Sequence, residues 1–290
     1  MVIEAVVFDV GETLVDETRE YGTWADWLGV PRHTFVAVLG ATIARGLDYR
    51  ETFQVFRPGF DLTAEREARA AAGRPEWFGE DDLYADVRPA LAELGAAGIW
   101  VGVVGNQTAR AGELLRGLDL PCDFIATSDE WGVSKPDTAF FHRIIEEADR
   151  PADVILYVGD RLDNDIAPAK ALGMRTAFIQ RGPWGWIHRD SPSVAELADF
   201  RIDFLTELPA LVATGADMLD SPSHHRRGYP VQLGAAGVLD ERLACGEGGV
   251  VDAYGLPHLR WSLVPVGACH VDVAALPTQF RRQGPCPGVP

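Results

Sequence analysis

The sequence has few lysines, few cysteines and no long apolar run. Only two of its 26 basic residues are lysine, and its four cysteines form no C-x-x-C pair, so neither a zinc module nor a redox motif is indicated. Its apolar runs are shorter than the roughly 18 residues that a membrane-spanning helix needs. The opening residues lack the basic segment and long apolar segment of a signal peptide. We therefore expect a cytoplasmic protein.

Positive charge is scarce as well. The 290 residues include 43 acidic and 26 basic side chains, for a net charge of -17. Such a surface repels nucleic acids and anionic membranes, so we expect neither as a partner. A small anionic ligand stays compatible, because local positive groups can dominate inside a cleft. The sequence does not fix the oligomeric state, and a homo-oligomer is compatible with it.

Short apolar runs alternate with helical patterns through much of the chain. The runs are typical of strands that are buried on both faces, and they cover residues 2–8, 99–104, 124–126, 154–158 and 175–179. The helical patterns cover residues 88–97, 109–118, 138–148 and 166–172. This alternation predicts an α/β fold with a doubly wound parallel sheet.

Polar residues stand where several of these strands end. Asp9, Asn106 and Asp160 each follow an apolar run. Doubly wound sheets bind their ligands at the carboxyl ends of the strands. We therefore expect these three side chains to lie at one candidate site.

Two segments depart from the alternation and suggest a domain organisation. Residues 15–87 contain helical patterns and no convincing strand, so we predict a small all-helical insert above the site. Residues 1–14 and 88–214 would form the α/β core. Residues 215–290 are rich in Gly, Pro and His with little periodicity, which predicts a poorly ordered C-terminal extension. A small extra module, or an out-of-frame or read-through extension, stays open.

Four short motifs occur in order along the predicted core. They are DVGETL at residues 9–14, GN at 105–106, KP at 135–136 and GDRLDND at 159–165. Together they resemble the four motifs of the haloacid dehalogenase-like (HAD) superfamily of hydrolases. The resemblance covers roughly residues 3–213, with the helical insert as the cap domain of a Rossmann-like core. The strongest match is VGDRLDNDIAPAKALGM at residues 158–174.

The resemblance implies a phosphatase of a small phosphorylated metabolite, with Asp9 as the nucleophile. An aspartate is ionised at pH 7 and can attack phosphorus without a base to activate it, which gives an aspartyl-phosphate. Two alternatives stay open. A 2-haloacid dehalogenase would use the same carboxylate to attack carbon without a metal. A binding or regulatory protein would keep the fold without catalysis.

The resemblance also implies a magnesium ion. Asp9 and a phosphate ester are both anionic, so a cation is needed between them, and Mg²⁺ prefers oxygen ligands. Asp160 is the candidate direct ligand, and Asp165 is the second carboxylate that would support the metal or its waters. Asp9 itself and the backbone carbonyl of Gly11 would complete the protein ligands.

Phosphate contacts are expected from the second and third motifs. Lys135 matches the family lysine that neutralises the nucleophile and the phosphoryl group. Gly105 stands where the family has Ser or Thr, so we expect backbone N–H groups near Asn106, or the Thr108 hydroxyl, to bind phosphate instead. Lys170, the other lysine, is expected in a surface salt bridge.

Gly11 replaces an aspartate that the family's phosphatases use as a general acid and base. That function contributes about 10²–10⁴-fold to the rate, so its loss predicts weakened acid/base catalysis and a bias toward aryl phosphates. Glu12 is adjacent, but neighbouring side chains on an extended chain point to opposite sides. We therefore do not expect Glu12 to replace the missing group.

Overall fold

A six-stranded parallel sheet forms the centre of the computed structural model, which describes residues 2–213. The extension expected at residues 215–290 lies outside this range. The strands are β1 (Ala5–Phe8), β2 (Trp100–Gly105), β3 (Phe124–Thr127), β4 (Ile155–Gly159), β5 (Arg175–Ile179) and β6 (Phe200–Ile202). They are arranged in the order β3-β2-β1-β4-β5-β6. The predicted doubly wound α/β fold is confirmed.

Helices connect the strands and also form the segment before β2. The helices between β1 and β2 are α1 (Thr18–Leu28), α2 (Arg32–Ala44), α3 (Glu51–Phe56), α4 (Leu62–Ala71) and α5 (Val87–Ala96). The later ones are α6 (Ala109–Gly117), α7 (Ser128–Trp131), α8 (Thr138–Ala148), α9 (Ala167–Ala171), α10 (Gly182–His188), α11 (Pro192–Leu197) and α12 (Leu208–Ala213). Within residues 2–213, none of them is long and apolar enough to cross a bilayer.

The continuous apolar strands are explained by two cores, one on each face of the sheet. In β1, Val6 and Phe8 belong to one core, and Ala5 and Val7 belong to the other. Successive strand residues point to opposite faces, so a central strand covered on both sides has no polar position. β1 lies between β2 and β4, which places its carboxyl end at the centre of the sheet.

The helices α1 to α4 pack around an aromatic cluster. Trp24 meets Phe53 and Phe60 edge to face, and Phe35 meets Phe53 in the same way. All four rings are buried. Edge-to-face pairs are a favourable arrangement of aromatic rings, and each adds to the energy of burial. The all-helical character predicted for this segment is confirmed, while the domain boundaries at 14/15 and 87/88 stay predictions.

Two short stretches of chain connect the helical segment to the sheet and are hydrogen-bonded to each other. The backbone N–H of Tyr84 donates to the carbonyl of Leu14 at 3.0 Å, and that of Asp16 donates to the carbonyl of Asp82 at 2.8 Å. Val15 forms an antiparallel bridge with Leu83 between them. We call residues 14–16 and 82–84 the connecting ribbon. It holds the start of α1 close to the end of β1.

Candidate active site

Three aspartates converge at the carboxyl ends of β1 and β4. Asp9 follows β1, Asp160 follows β4, and Asp165 lies in a single π-helical turn at Leu162–Ile166. One carboxylate oxygen from each lies within 4.8 Å of the other two. The three residues, which we call the carboxylate cluster, are only 7%, 1% and 0% exposed. Charged groups are this deeply buried only when they are paired or bind a cation.

Lys135 supplies positive charge to this cluster. Its Nζ lies 2.6 Å from Oδ1 of Asp9 and 2.6 Å from Oδ1 of Asp165. Burial alone would lower the pKa of Lys135, but the charges of Asp165 and Asp9 outweigh burial and raise this pKa well above its usual range. The ammonium group is therefore charged at neutral pH. One such cation against three carboxylates leaves an excess of negative charge.

Asp160 has the acceptor that best suits a metal ion. Its Oδ2 is buried and has no hydrogen-bond partner among the described residues. Burial, followed by the charges of Asp165 and Asp9, raises the pKa of Asp160 well above its usual range. A buried acceptor without a partner costs about 1–3 kcal/mol. A hard divalent cation fits this donor set, because carboxylate oxygens are the ligands that it prefers.

The oxygens of Asp165 are already engaged. Oδ1 accepts from Lys135 at 2.6 Å, and Oδ2 accepts from the backbone N–H of Arg161 at 3.0 Å. Burial raises the pKa of Asp165 to about 6, although Lys135 opposes that rise. Gly159 is required beside it, because a Cβ there would lie 2.6 Å from the Cβ of Asp165. The Gly-Asp pair at 159–160 thus makes room for the second carboxylate.

Asn106 holds the backbone of Lys135. Its Oδ1 accepts from the Lys135 N–H at 2.8 Å, and its Nδ2 donates to the Lys135 carbonyl at 2.9 Å. The amide side chain is thereby used in positioning the lysine. The N–H of Gln107 donates to the Gly105 carbonyl at 2.9 Å, and phosphate binding near Asn106 stays a prediction.

The Thr108 hydroxyl already makes two hydrogen bonds. It donates to the Glu76 carboxylate and accepts from the backbone N–H of Ala111 at 3.0 Å, which caps α6. Burial raises the pKa of Glu76. Thr108 borders the cavity above the carboxylate cluster. Its role in phosphate binding stays a prediction, and it would require the hydroxyl to give up one of these partners.

Glu12 does not have the extended backbone that its neighbours suggested. Its φ is +54°, in the left-handed region, so the expectation of an extended chain at this position was wrong. The Tyr84 hydroxyl donates to its Oε2 at 2.6 Å. Burial raises the pKa of Glu12 to about 7, although the hydrogen bond from Tyr84 lowers it. The carboxyl group is thus held by the connecting ribbon.

Glu17 is a candidate residue that the sequence motifs do not indicate. It immediately precedes α1, and its carboxyl group lies against Gly11. Burial, together with the charges of Glu12, Glu20 and Asp9, raises the pKa of Glu17 to about 8. No spacing in the sequence marks this residue, because its approach to Gly11 depends on the course of the backbone between them.

A cavity of about 950 Å³ opens over the cluster. Asp9, Lys135 and Asp160 lie in its wall, and aromatic side chains from the helical segment and α10 also face it. These aromatic residues are Tyr21, Trp24, Tyr49, Phe53 and Trp184. A cavity of this size fits a small organic molecule. Arg50 and Arg66 also line it, so the wall away from the cluster is polar as well as aromatic.

A family model for haloacid dehalogenase-like hydrolases matches residues 3–173, which is more than half of the chain. The chain belongs to this hydrolase family. The fold, the order of the motifs and the convergence of the carboxylates agree with that membership.

Curated relatives carry phosphatase names. The glyceraldehyde 3-phosphate phosphatase of Methanocaldococcus jannaschii is 37% identical over 125 residues, or 42% of this chain and 53% of that protein. The enzyme of the same name from Methanopyrus kandleri is 29% identical over 230 residues, or 71% of this chain and 95% of that protein. The match with the first thus spans about half of that relative's length.

A solved structure shows the same fold. The HAD-hydrolase YfnB from Bacillus subtilis, which was crystallised with magnesium, has a TM-score of 0.55 and 19% identity to this chain. The match covers 73% of this chain and 99% of that one. At this level of sequence identity, the match shows a shared fold.

Proposed function

We propose that the protein is a Mg²⁺-dependent phosphatase that hydrolyses a small phosphorylated metabolite through an aspartyl-phosphate on Asp9. The observation that carries this proposal is the convergence of Asp9, Asp160 and Asp165 within 4.8 Å, beside a buried ammonium group. The phosphatase names of the relatives support the same reaction class.

Asp9 would act first. Its carboxylate attacks phosphorus, the bond from phosphorus to the ester oxygen breaks, and the alcohol leaves. Water then attacks the aspartyl-phosphate, which releases inorganic phosphate and restores the carboxylate. Lys135 contacts Asp9 at 2.6 Å and would also neutralise the transferring phosphoryl oxygens.

The metal ligands would be Asp9, the Gly11 carbonyl, Asp160 and Asp165. The unpartnered Oδ2 of Asp160 is the observation that fits a cation best. A bound Mg²⁺ would supply charge neutralisation between the attacking carboxylate and the phosphate group. Backbone N–H groups near Asn106, with Thr108, would hold the remaining phosphate oxygens.

Gly11 supplies no carboxyl group, so we propose that acid/base catalysis is weaker than in relatives with a second aspartate, even where a carboxyl group from another part of the chain takes over proton transfer. The rate would then depend on the stability of the departing alkoxide. Aryl phosphates should react faster than alkyl phosphates, because a phenolate leaves with less help from a proton.

A non-catalytic binding protein is the second candidate, and Gly11 and Gly105 are the observations that favour it. It predicts that phosphate esters bind without turnover. A 2-haloacid dehalogenase is the third, and it predicts release of halide in the presence of a chelator. The buried Oδ2 of Asp160, which has no hydrogen-bond partner among the described residues, favours a metal-dependent phosphatase over a dehalogenase.

The decisive experiment is a panel of phosphate esters assayed with Mg²⁺. Glyceraldehyde 3-phosphate, glycerol 3-phosphate and 4-nitrophenyl phosphate would be tested with the wild type and with Asp9→Asn. We expect turnover that EDTA abolishes and that Asp9→Asn lowers by about 10³-fold or more. Turnover that survives EDTA, or that Asp9→Asn leaves intact, would reject the proposal.

A further inference from the structure

The space beside Gly11 is occupied by another carboxyl group. A Cβ placed on Gly11 would lie 2.6 Å from Oε1, 2.8 Å from Cδ and 3.3 Å from Oε2 of Glu17. These distances are too short for any side chain at position 11 to coexist with Glu17 in this arrangement. The carboxyl group of Glu17 therefore stands where the side chain of residue 11 would begin.

The backbone between the two residues folds back to bring them together. Gly11 forms a bridge with Val15, and the N–H of Glu12 donates to the Val15 carbonyl at 2.7 Å. Glu17 then stands at the N-cap position before α1, and its carbonyl accepts from the N–H of Tyr21 at 3.0 Å. The position of Glu17 is thus fixed on both sides by backbone hydrogen bonds.

We propose that Glu17 is the catalytic acid and base of the hydrolysis, in place of the side chain that Gly11 lacks. This inference rests on the proposed phosphatase function. It goes beyond it by assigning proton transfer to a residue outside the four motifs. Glu17 and Gly11 both line the cavity that contains Asp9, so the group has access to an ester bound there.

The neighbouring carboxylates are held in other contacts. Glu12 accepts from the Tyr84 hydroxyl at 2.6 Å, and Glu20 accepts from Arg69 at 3.2 Å. Glu17 has no ion pair with a basic side chain among residues 2–213, and the Tyr21 hydroxyl is a polar neighbour that lowers its pKa. Glu12 also has a tyrosine hydroxyl as its partner, so the contact with Gly11 is what distinguishes Glu17 from it.

The proposed step balances as follows. While the bond from phosphorus to the ester oxygen breaks, protonated Glu17 gives its proton to that oxygen, and a neutral alcohol leaves. The Glu17 carboxylate then takes a proton from the water that attacks the aspartyl-phosphate. Phosphate is released, Asp9 regains its carboxylate, and Glu17 regains its proton.

The first test is the dependence of the rate on the leaving group. Glu17→Gln should lower the single-turnover rate with glycerol 3-phosphate by about 10²–10⁴-fold, and the rate with 4-nitrophenyl phosphate by far less. Glu67→Gln removes an exposed carboxylate of α4 that does not line the cavity, and it should change neither rate. A purely structural role for Glu17 would lower both rates equally, and that result would overturn the inference.

A second test moves the acid back to position 11. Glu17→Ala frees the space beside Gly11, and adding Gly11→Asp to this variant should restore turnover of glycerol 3-phosphate at least in part. A double variant no faster than Glu17→Ala, although folded and able to cleave 4-nitrophenyl phosphate, would overturn the inference. If the wild type cleaves no ester, the proposed function fails and this inference fails with it. If the wild type is active and Glu17→Gln is unchanged, only this inference fails.

Discussion

Gly105 lies so close to Asp9 that a Cβ at residue 105 would be 2.8 Å from Oδ1 of the nucleophile. The same Cβ would lie 2.9 Å from Cγ2 and 3.2 Å from Cβ of Val10. Oδ1 of Asp9 is also held by Lys135 at 2.6 Å, so it has little freedom to move. Glycine at the end of β2 is therefore required by the position of the nucleophile.

Restoring the hydroxyl residue that the family has at this point should consequently fail. Gly105→Ser would displace the Asp9 carboxylate, and a misplacement of about 1 Å costs roughly 10²-fold in rate. We expect kcat/KM to fall by about that factor in a phosphate-ester assay. Gly95→Ala is the matched control, since nothing lies within 4 Å of its new methyl group in α5. An unchanged or higher kcat/KM for Gly105→Ser would contradict this prediction.

Asp160→Asn should separate metal binding from folding. Without metal, the amide removes one buried negative charge and should raise the melting temperature above that of the wild type. With Mg²⁺ at about 100 times its Kd, binding adds about 2.7 kcal/mol to the wild type, and the variant should gain far less. Differential scanning fluorimetry with EDTA or Mg²⁺ measures both. The control is Asp163→Asn, which removes an exposed charge paired with Arg161 and should keep the full increase in melting temperature with Mg²⁺. An equal increase for Asp160→Asn and the wild type would contradict the proposed metal site.

The two lysines offer a comparison of a buried and a surface ion pair. Lys135→Met leaves buried carboxylates without their cation and should lower the free energy of unfolding by about 3–5 kcal/mol. Lys170 lies 2.6 Å from Asp199, and its side chain is 35% exposed, which confirms the expected surface salt bridge. Lys170→Met should cost about 1 kcal/mol or less. Urea unfolding in EDTA measures the free energy of unfolding of both variants. Similar losses for Lys135→Met and Lys170→Met would contradict the role of Lys135 as the cation of the buried carboxylates.

We expect Asp199 to make the free energy of unfolding fall at acid pH. Burial would raise its pKa, but hydrogen bonds from Lys170, the Thr176 N–H and Arg175 outweigh burial and lower it. The pKa of Asp199 is lower in the folded protein than in the unfolded chain, where it is near 3.9. The ionised carboxylate therefore stabilises the fold above about pH 3.9, and this stabilisation is lost as the pH falls through the folded-state pKa. Asp199→Asn should therefore cost about 2 kcal/mol at pH 7.

The loss caused by Asp199→Asn should shrink below about pH 4. Chemical unfolding of the wild type and the variant at pH 7, 5 and 3.5 would measure the difference. A loss that stays constant across this range would show that the carboxylate charge is not the cause.

The sheet was largely predictable because its strands are covered on both faces. Continuous apolar runs marked β1, β2, β4 and β5, and β5 agrees at both ends. β6 escaped prediction, since three residues at an edge carry too little pattern and include the exposed Arg201. The helix predicted at 166–172 is α9, and a π-helical turn at Leu162–Ile166 precedes it; the spacing of apolar residues in the sequence does not reveal this turn.

The site was predictable where side chains follow strands. The motifs occur in a fixed order along the chain, and the parallel sheet brings their charged residues together at one edge. These residues are Asp9, Lys135, Asp160 and Asp165. Glu17 was not predictable, because a left-handed residue and a backbone bridge turn the chain after β1. Such turns depend on local conformation and leave no periodic pattern in the sequence.

The connecting ribbon determines how the proposed proton donor is placed beside the nucleophile. An aspartate at position 11 would be attached to the end of the sheet and would stay beside the nucleophile at all times. Glu17 is attached to α1, beyond the ribbon, so any displacement of the helices from the sheet changes its distance to Asp9. The nucleophile and the proposed proton donor are therefore carried by different elements, β1 and α1, and the hydrogen bonds of the ribbon set the distance between them.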